Sequence, residues 1–167
     1  MDAAPTGSML ETERIGELGR YFAERPELGV AAVYLFGSHA EGRAHRESDV
    51  DLGVLLRRDA KPERRDRFAV RVKLAGELGR LVAPADPDVV VLNDAPPLLG
   101  RHVVLSGVRI YLADAAADHA YVRDVQLRAA DLAPFLRRMR QLKLEALARP
   151  APLPAATPAL PAGRNSQ

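Results

Sequence analysis

Residues Leu35 to Val54 read LFGSHAEGRAHRESDVDLGV, and the fold turns on how this stretch is parsed. It closes the apolar run VAAVYLF (Val30 to Phe36) with a Gly-Ser step, passes through ten residues (39 to 48), and opens a second apolar segment with Asp-Val-Asp. A short continuous apolar run that stops at a glycine reads as a strand buried on both faces. In DVDLGVLL the pattern changes to alternation: Val50, Leu52, Val54 and Leu56 take one face of a second strand, and Asp49, Asp51 and Gly53 take the other. Two carboxylates one residue apart on a strand project from the same face, about 6.5 to 7 Å apart for a rise of roughly 3.3 Å per residue. Such a pair can grip two divalent ions about 3.5 to 4 Å apart, the arrangement used for in-line phosphoryl or nucleotidyl displacement. Bound Mg2+ would also relieve the repulsion between the like charges.

The Gly-Ser step supplies the complementary half of a nucleotide site. Gly37 lets the backbone approach a ligand closely, and Ser38 adds a hydroxyl where a helical turn with free N–H groups can begin. This makes a phosphate cradle beside the Asp pair, which brings triphosphate and metal together, and Arg43 or Arg46 can add a cation. A third carboxylate comes from Asp88, at the head of the apolar segment DVVVL, with Asp86 as the alternative. On a neighbouring strand Asp88 would complete a metal site and help to deprotonate an attacking hydroxyl.

Working outward, Ser8 and Glu11 have capping-box spacing, and Ile15, Leu18 and Phe22 follow at helical intervals up to Pro26. Phe68, Val72, Ala75, Leu78 and Val82 predict an amphipathic helix over about Glu63 to Val82, closed near Pro84. Asp88 to Leu92 reads as a third strand, NDAPP as turn chemistry, and Val108 to Leu112 as an edge strand. Ala117 to Ala148 reads mainly as helix, with a kink or a break at Pro134. The remainder, PAPLPAATPALPAGRNSQ, lacks the large apolar groups needed to fold. The expected organisation is a catalytic domain over residues 8–115, a helical extension over 116–148 and a disordered Pro/Ala-rich tail over 149–167.

Composition narrows the function classes. At 167 residues the chain has room for one domain of ordinary size, and 47% hydrophobic with 28% charged residues is a globular profile. Trp is absent and aromatics are 5%, so a base-stacking platform is not expected. With 24 basic against 22 acidic residues there is no bulk charge to capture a polyanion, and direct nucleic-acid binding is not expected. The absence of Cys removes disulfides, thiolate metal sites and cysteine nucleophiles, which suits a reducing compartment. MDAAPTGSMLETER lacks a basic start followed by an apolar run, and no stretch reaches roughly 18 apolar residues. A cytoplasmic protein without membrane attachment is expected.

Gly37 to Asp51 resembles the G-S-x10-D-x-D signature of the nucleotidyltransferase superfamily that includes DNA polymerase β. The small size is similar to that of its minimal nucleotidyltransferase (MNT) branch. Asp86 to Tyr111 also resembles the segment that in MNT antitoxins carries the third carboxylate and a Leu-Asn-Asp-Ala-Pro-Pro run, here Leu92 to Pro97. The likeness covers roughly residues 10 to 125. It implies an α/β fold of the minimal polymerase β-like kind, with a short mixed sheet backed by helices and a helical C-terminal extension. It also implies an antitoxin of a HEPN/MNT toxin–antitoxin pair, a Mg-dependent protein adenylyltransferase that moves AMP from ATP onto a tyrosine hydroxyl of the HEPN ribonuclease toxin. The roles that follow are Asp49 and Asp51 holding two Mg2+ ions, Asp88 completing the catalytic ion, and Gly37 with Ser38 seating the ATP phosphates. Two alternatives keep part of this reading: transfer to a small hydroxyl compound of the aminoglycoside type, or an antitoxin that neutralises by occlusion alone.

Other features carry less. His39, His45, His102 and His119 show no ligand spacing and read as solvated or loop histidines. His119-Ala-Tyr121 matches the end of a HEPN ribonuclease motif, but the nearest preceding arginine, Arg109, is too far upstream. Arg137, Arg138, Arg140 and Lys143 read as a solvated helix face. Val125, Leu132 and Met139 recur at intervals of seven, with Ala129, Phe135, Leu136 and Leu142 between them. This stripe either packs on its own domain or seats a partner.

Overall fold

A computed structural model of the chain describes residues 12–45 and 47–148. The Ser8–Glu11 box and the Pro/Ala-rich segment lie outside these residues. Helix α1 (Thr12–Ala23) leads through a 3-10 turn (Pro26–Leu28) into strand β1 (Val30–Phe36). A four-residue helix, α2 (Gly37–Ala40), and a loop carry the chain to β2 (Val50–Leu56). Then come α3 (Arg64–Val82), β3 (Pro87–Val91), a 3-10 turn (Leu92–Asp94), α4 (Pro97–Ser106), β4 (Val108–Leu112) and α5 (Ala115–Ala148). The described residues fall into two compact units, one ending at Asp131 and one starting at Leu132.

The strands form one mixed sheet in the order β3-β2-β1-β4. β1 runs antiparallel to both β2 and β4, whereas β2 and β3 are parallel. Every residue of β1 is buried, as its unbroken apolar run requires of an interior strand. The alternation read in β2 is present: Val50, Leu52, Val54 and Leu56 pack with Leu18 and Phe22 of α1 and Leu74, Leu78 and Val82 of α3. On the opposite face Leu55 joins Tyr34 and Phe36 of β1, Val103 of α4, and Tyr121 and Val125 of α5. A bulge in β1 lets Val30 pair with Leu56 and Ala32 with Leu55. The extra residue puts Val30 and Val33 on the same face despite their odd spacing.

Two elements differ from the sequence reading. In α3 the buried side chains are Val70, Leu74, Leu78 and Val82, whereas Phe68 and Val72 are 60% and 56% exposed. The face toward the sheet is taken at its N-terminal end by Arg67 and Arg71, whose heads find acceptors there. Arg71 Nε donates to the carbonyl of Val89 on edge strand β3 (2.8 Å), and Arg67 makes a two-pronged pair with Asp94 (2.7 and 2.9 Å). The second difference is α4, which begins where the NDAPP turn ends, with Pro97 in the first helical turn. Gly100 in α4 faces the hydroxyl of Tyr121, and a Cβ there would collide with it.

α5 continues through Pro134 as one helix. Its first half is anchored by a buried polar cluster: Asp118, fully buried, accepts from Tyr34 Oη (2.6 Å) and from Arg109 of β4 (2.6 Å). Burial and the adjacent carboxylate push the Tyr34 phenol above its ordinary range. Pairing and hydrogen bonding are what make a buried carboxylate tolerable. Tyr121, two residues beyond His119, donates to the carbonyl of Leu92 (3.1 Å), which gives it a structural role.

Candidate active site

The parallel register of β2 and β3 places Asp51 directly opposite Asp88, and Phe36 of β1 lies opposite Asp51 on the other side. Asp49 precedes β2 by one residue and is exposed, Asp88 is exposed near the start of β3, and Asp51 is half-buried between them. Burial, followed by the carboxylates of Asp88 and Asp49, raises the pKa of Asp51 above its ordinary value, while His39 acts in the opposite sense. Asp51 therefore lies within electrostatic reach of both other carboxylates. Among the described residues, none of them pairs with a Lys, Arg or His. Asp86, the alternative third carboxylate, instead caps the ladder with its backbone, its carbonyl accepting from the N–H of Val50 (2.8 Å).

Gly37 stands at the end of β1 with φ +66, in the left-handed region that favours glycine. A side chain there would also run into the Asp51 carboxylate. Two constraints thus fix glycine at this position, the backbone conformation of the turn and its close approach to β2. α2 starts at Gly37, and its first internal bond runs from the N–H of Glu41 to the carbonyl of Gly37 (3.1 Å). The amides of Ser38, His39 and Ala40 have no acceptor within the helix. Ser38 is half-buried in this turn, beside the strand end that leads to the carboxylates. Arg43 is exposed and pairs with Glu41, so it does not turn toward the carboxylates, and Arg46 lies outside the described residues.

His39 departs from the sequence reading. It is 4% exposed rather than solvated, with Nε2 at 3.3 Å from the carbonyl of Ser48. Since a carbonyl only accepts, Nε2 carries the proton, and Nδ1 is buried with no protein partner. Ser48 in turn closes the loop on itself, its Oγ accepting from the N–H of His45 (2.9 Å) and its own N–H donating to the carbonyl of His45 (3.0 Å). His39 and Ser48 thereby tie α2 to the residue just before Asp49. The available signal was the short distance from Gly37: in so tight a helix the third residue faces the loop that returns to β2.

The donor chemistry suits a hard divalent cation, which prefers oxygen ligands and is favoured by unpaired carboxylates. Among the described residues, no three His, Cys, Asp or Glu side chains yet converge on one point at ligand distance. Asp51 and Asp88 face each other, Asp49 flanks them, and the Gly37 turn approaches from the side. This pairing of a glycine turn with carboxylates on adjacent strands is the arrangement that the resemblance to nucleotidyltransferases implies. The sequence profile of the polymerase beta nucleotidyltransferase family matches residues 17–116, and the chain belongs to that family.

Among individual relatives, the chain is 35% identical over 79 residues to protein adenylyltransferase MntA of Shewanella oneidensis. The match covers 47% of this chain and 52% of the relative, so the chain spans about half the length of that protein. A crystal structure of a toxin–antitoxin with AMP-PNP is 26% identical, with a TM-score of 0.52, over 84% of this chain and all of the other. The MntA–HepT toxin–antitoxin structure shares the fold at 19% identity, with a TM-score of 0.51, over 83% of this chain and all of the other. Among the described residues, no helix is long and apolar enough to cross a membrane.

Proposed function

We propose that this chain is the antitoxin of a HEPN/MNT pair, a cytoplasmic protein adenylyltransferase that transfers AMP from ATP to a tyrosine hydroxyl of its HEPN toxin. The observation that carries the reading is the register match of Asp51 with Asp88, with Asp49 two residues before Asp51 and Gly37 against the Asp51 carboxylate. The relatives support it: MntA is named a protein adenylyltransferase, and the toxin–antitoxin structure holds an ATP analogue. The HEPN identity of the acceptor rests on the resemblance carried by Gly37 to Asp51 and Asp86 to Tyr111.

In this mechanism Asp49 and Asp51 would hold Mg2+, and Asp88 would complete the ligand set. When bound, Mg2+ would supply charge neutralisation of the triphosphate and acidification of the attacking hydroxyl. The amides after Gly37, which have no acceptor within the helix, and the Ser38 hydroxyl hold the phosphates in line. The tyrosine oxygen forms a bond to the α-phosphorus, the bond from that phosphorus to the bridging oxygen breaks, and pyrophosphate leaves. Asp88 draws the tyrosine proton away as the new bond forms. His39 fixes the loop from which Asp49 projects and takes no part in the bond changes.

The test is intact-mass analysis of a HEPN protein, sought in the reading frame adjacent to the one encoding this chain, after incubation with the purified protein, ATP and Mg2+. The expected result is one or more AMP increments that disappear without ATP and when the acceptor tyrosine is changed to Phe. Absence of any increment at saturating ATP contradicts the enzyme reading, and modification of an aminoglycoside instead of the protein moves the chain to the small-molecule class.

A further inference from the structure

The apolar stripe that is buried at Tyr121, Val125 and Ala129 of α5 continues along the same helix to residues that are not covered. From Leu132 onward the large apolar side chains are exposed: Phe135 by 59%, Met139 by 48% and Leu142 by 49%. At about 100° per residue, Leu132, Phe135, Leu136, Met139 and Leu142 fall within an arc of about 120°. Their order, Leu132, Phe135, Met139, Leu142, is the alternating three-and-four spacing of a helix that packs against another helix. An exposed stripe of this size marks an interaction surface.

The charges around the stripe say what covers it. Between residues 132 and 148 there are four cations, Arg137, Arg138, Arg140 and Lys143, and a single carboxylate, Glu145. Arg140 and Arg138 lie outside the arc, one beyond each edge, whereas Lys143 falls inside it, between Leu132 and Leu136 on the helical projection. A second copy of this helix would set cations against cations, so self-association is opposed. An anionic bilayer would suit the flanking arginines, but it would draw Lys143 into the hydrocarbon side of the stripe, where a charge is disfavoured. A protein surface that offers a carboxylate to Lys143 inside an apolar contact satisfies both features.

We infer that residues 132–148 form a docking helix for an amphipathic helix of the toxin, one whose apolar ridge contains a carboxylate for Lys143 and is flanked by acidic residues. This rests on the proposed pairing with a HEPN toxin, which it deepens by assigning the contact to residues 132–148. The experiment uses the full-length chain and the HEPN protein of the functional test, with calorimetric titration for binding and intact mass for AMP transfer. Leu132→Ser, Phe135→Ser and Met139→Ser together should weaken binding by more than tenfold while leaving the melting temperature unchanged, because these side chains are already exposed. Lys143→Glu, a single surface change, should weaken binding about tenfold, and Lys143→Arg should restore it. Wild-type protein that neither binds nor modifies the HEPN protein overturns the functional reading and this inference with it. Wild-type binding with the triple and Lys143→Glu variants within twofold of it overturns this inference alone. Dimers of the isolated wild-type chain in light scattering, or sedimentation with phosphatidylglycerol vesicles, also overturn it.

Discussion

Burial and the carboxylates of Asp88 and Asp49 hold the Asp51 pKa above its ordinary value of 3.8, so this residue works against the stability of the fold. The sign follows from proton counting. Between the unfolded value and the higher folded value, the native state retains a proton that the unfolded chain has released, so stability falls as pH rises through that window. Above it the loss is complete. Asp51→Asn should therefore raise the melting temperature at neutral pH by a few degrees and flatten the acid side of the stability profile, as scanning calorimetry over a pH series would show. An unchanged profile would mean that the carboxylates do not repel. Mg2+ should raise the wild-type melting temperature in proportion to its binding and leave that of Asp51→Asn nearly unmoved. Gly37→Ala should be damaging for two reasons at once, a strained φ and a collision with the Asp51 side chain. The expected result is a loss of about 1 to 3 kcal/mol in denaturant unfolding together with loss of AMP transfer. At this scale the sequence was informative: the Gly-Ser step and the alternating Asp pair are local patterns whose spacing already implies proximity. His39 was not legible, because its burial depends on the return path of the loop through Ser48.

The strands were legible almost to the residue because their patterns are short and unambiguous, a continuous apolar run for the interior strand β1 and strict alternation for β2. Helices carry a weaker signal. α3 offers two apolar stripes that share Leu78 and Val82, and periodicity alone cannot choose between them. The choice is made by the carbonyl of Val89 and the carboxylate of Asp94 on the β3 side, which accept from Arg71 and Arg67 and turn Phe68 and Val72 outward. The stems of the arginines cover the sheet edge while their heads remain hydrogen-bonded. A direct comparison follows: Leu74→Ala should cost about 2 to 5 kcal/mol in urea unfolding, and Phe68→Ala less than about 0.5 kcal/mol. The reverse order would restore the stripe read from sequence. α4 was missed because Pro96-Pro97 reads as a turn, and Gly100 and the paired valines lower helix propensity. Burial of Val103 and the approach of the Tyr121 hydroxyl to Gly100 decide in favour of the helix.

At the scale of the whole molecule, the mixed sheet sets carboxylates from two parallel strands side by side while an antiparallel neighbour delivers the glycine turn. On the proposed reading, reaction and recognition use different residues. The carboxylate site lies at one end of the sheet, and the exposed stripe lies beyond Asp131. The expected consequence is that variants of the stripe change affinity for the toxin, whereas variants of the carboxylates change transfer and leave affinity intact. The register itself makes the strongest claim, since it selects Asp88 over Asp86 as the partner of Asp51. The most direct measurement is the rate of AMP transfer to the toxin from α-labelled ATP by wild type, Asp49→Asn with Asp51→Asn, Asp88→Asn and Asp86→Asn. The account predicts transfer lost by at least a hundredfold in the double variant and in Asp88→Asn, with Asp86→Asn close to wild type, since electrostatic and metal-binding groups at a reacting centre supply at least about 2.7 kcal/mol. Transfer surviving in the double variant, or lost in Asp86→Asn and retained in Asp88→Asn, would contradict it.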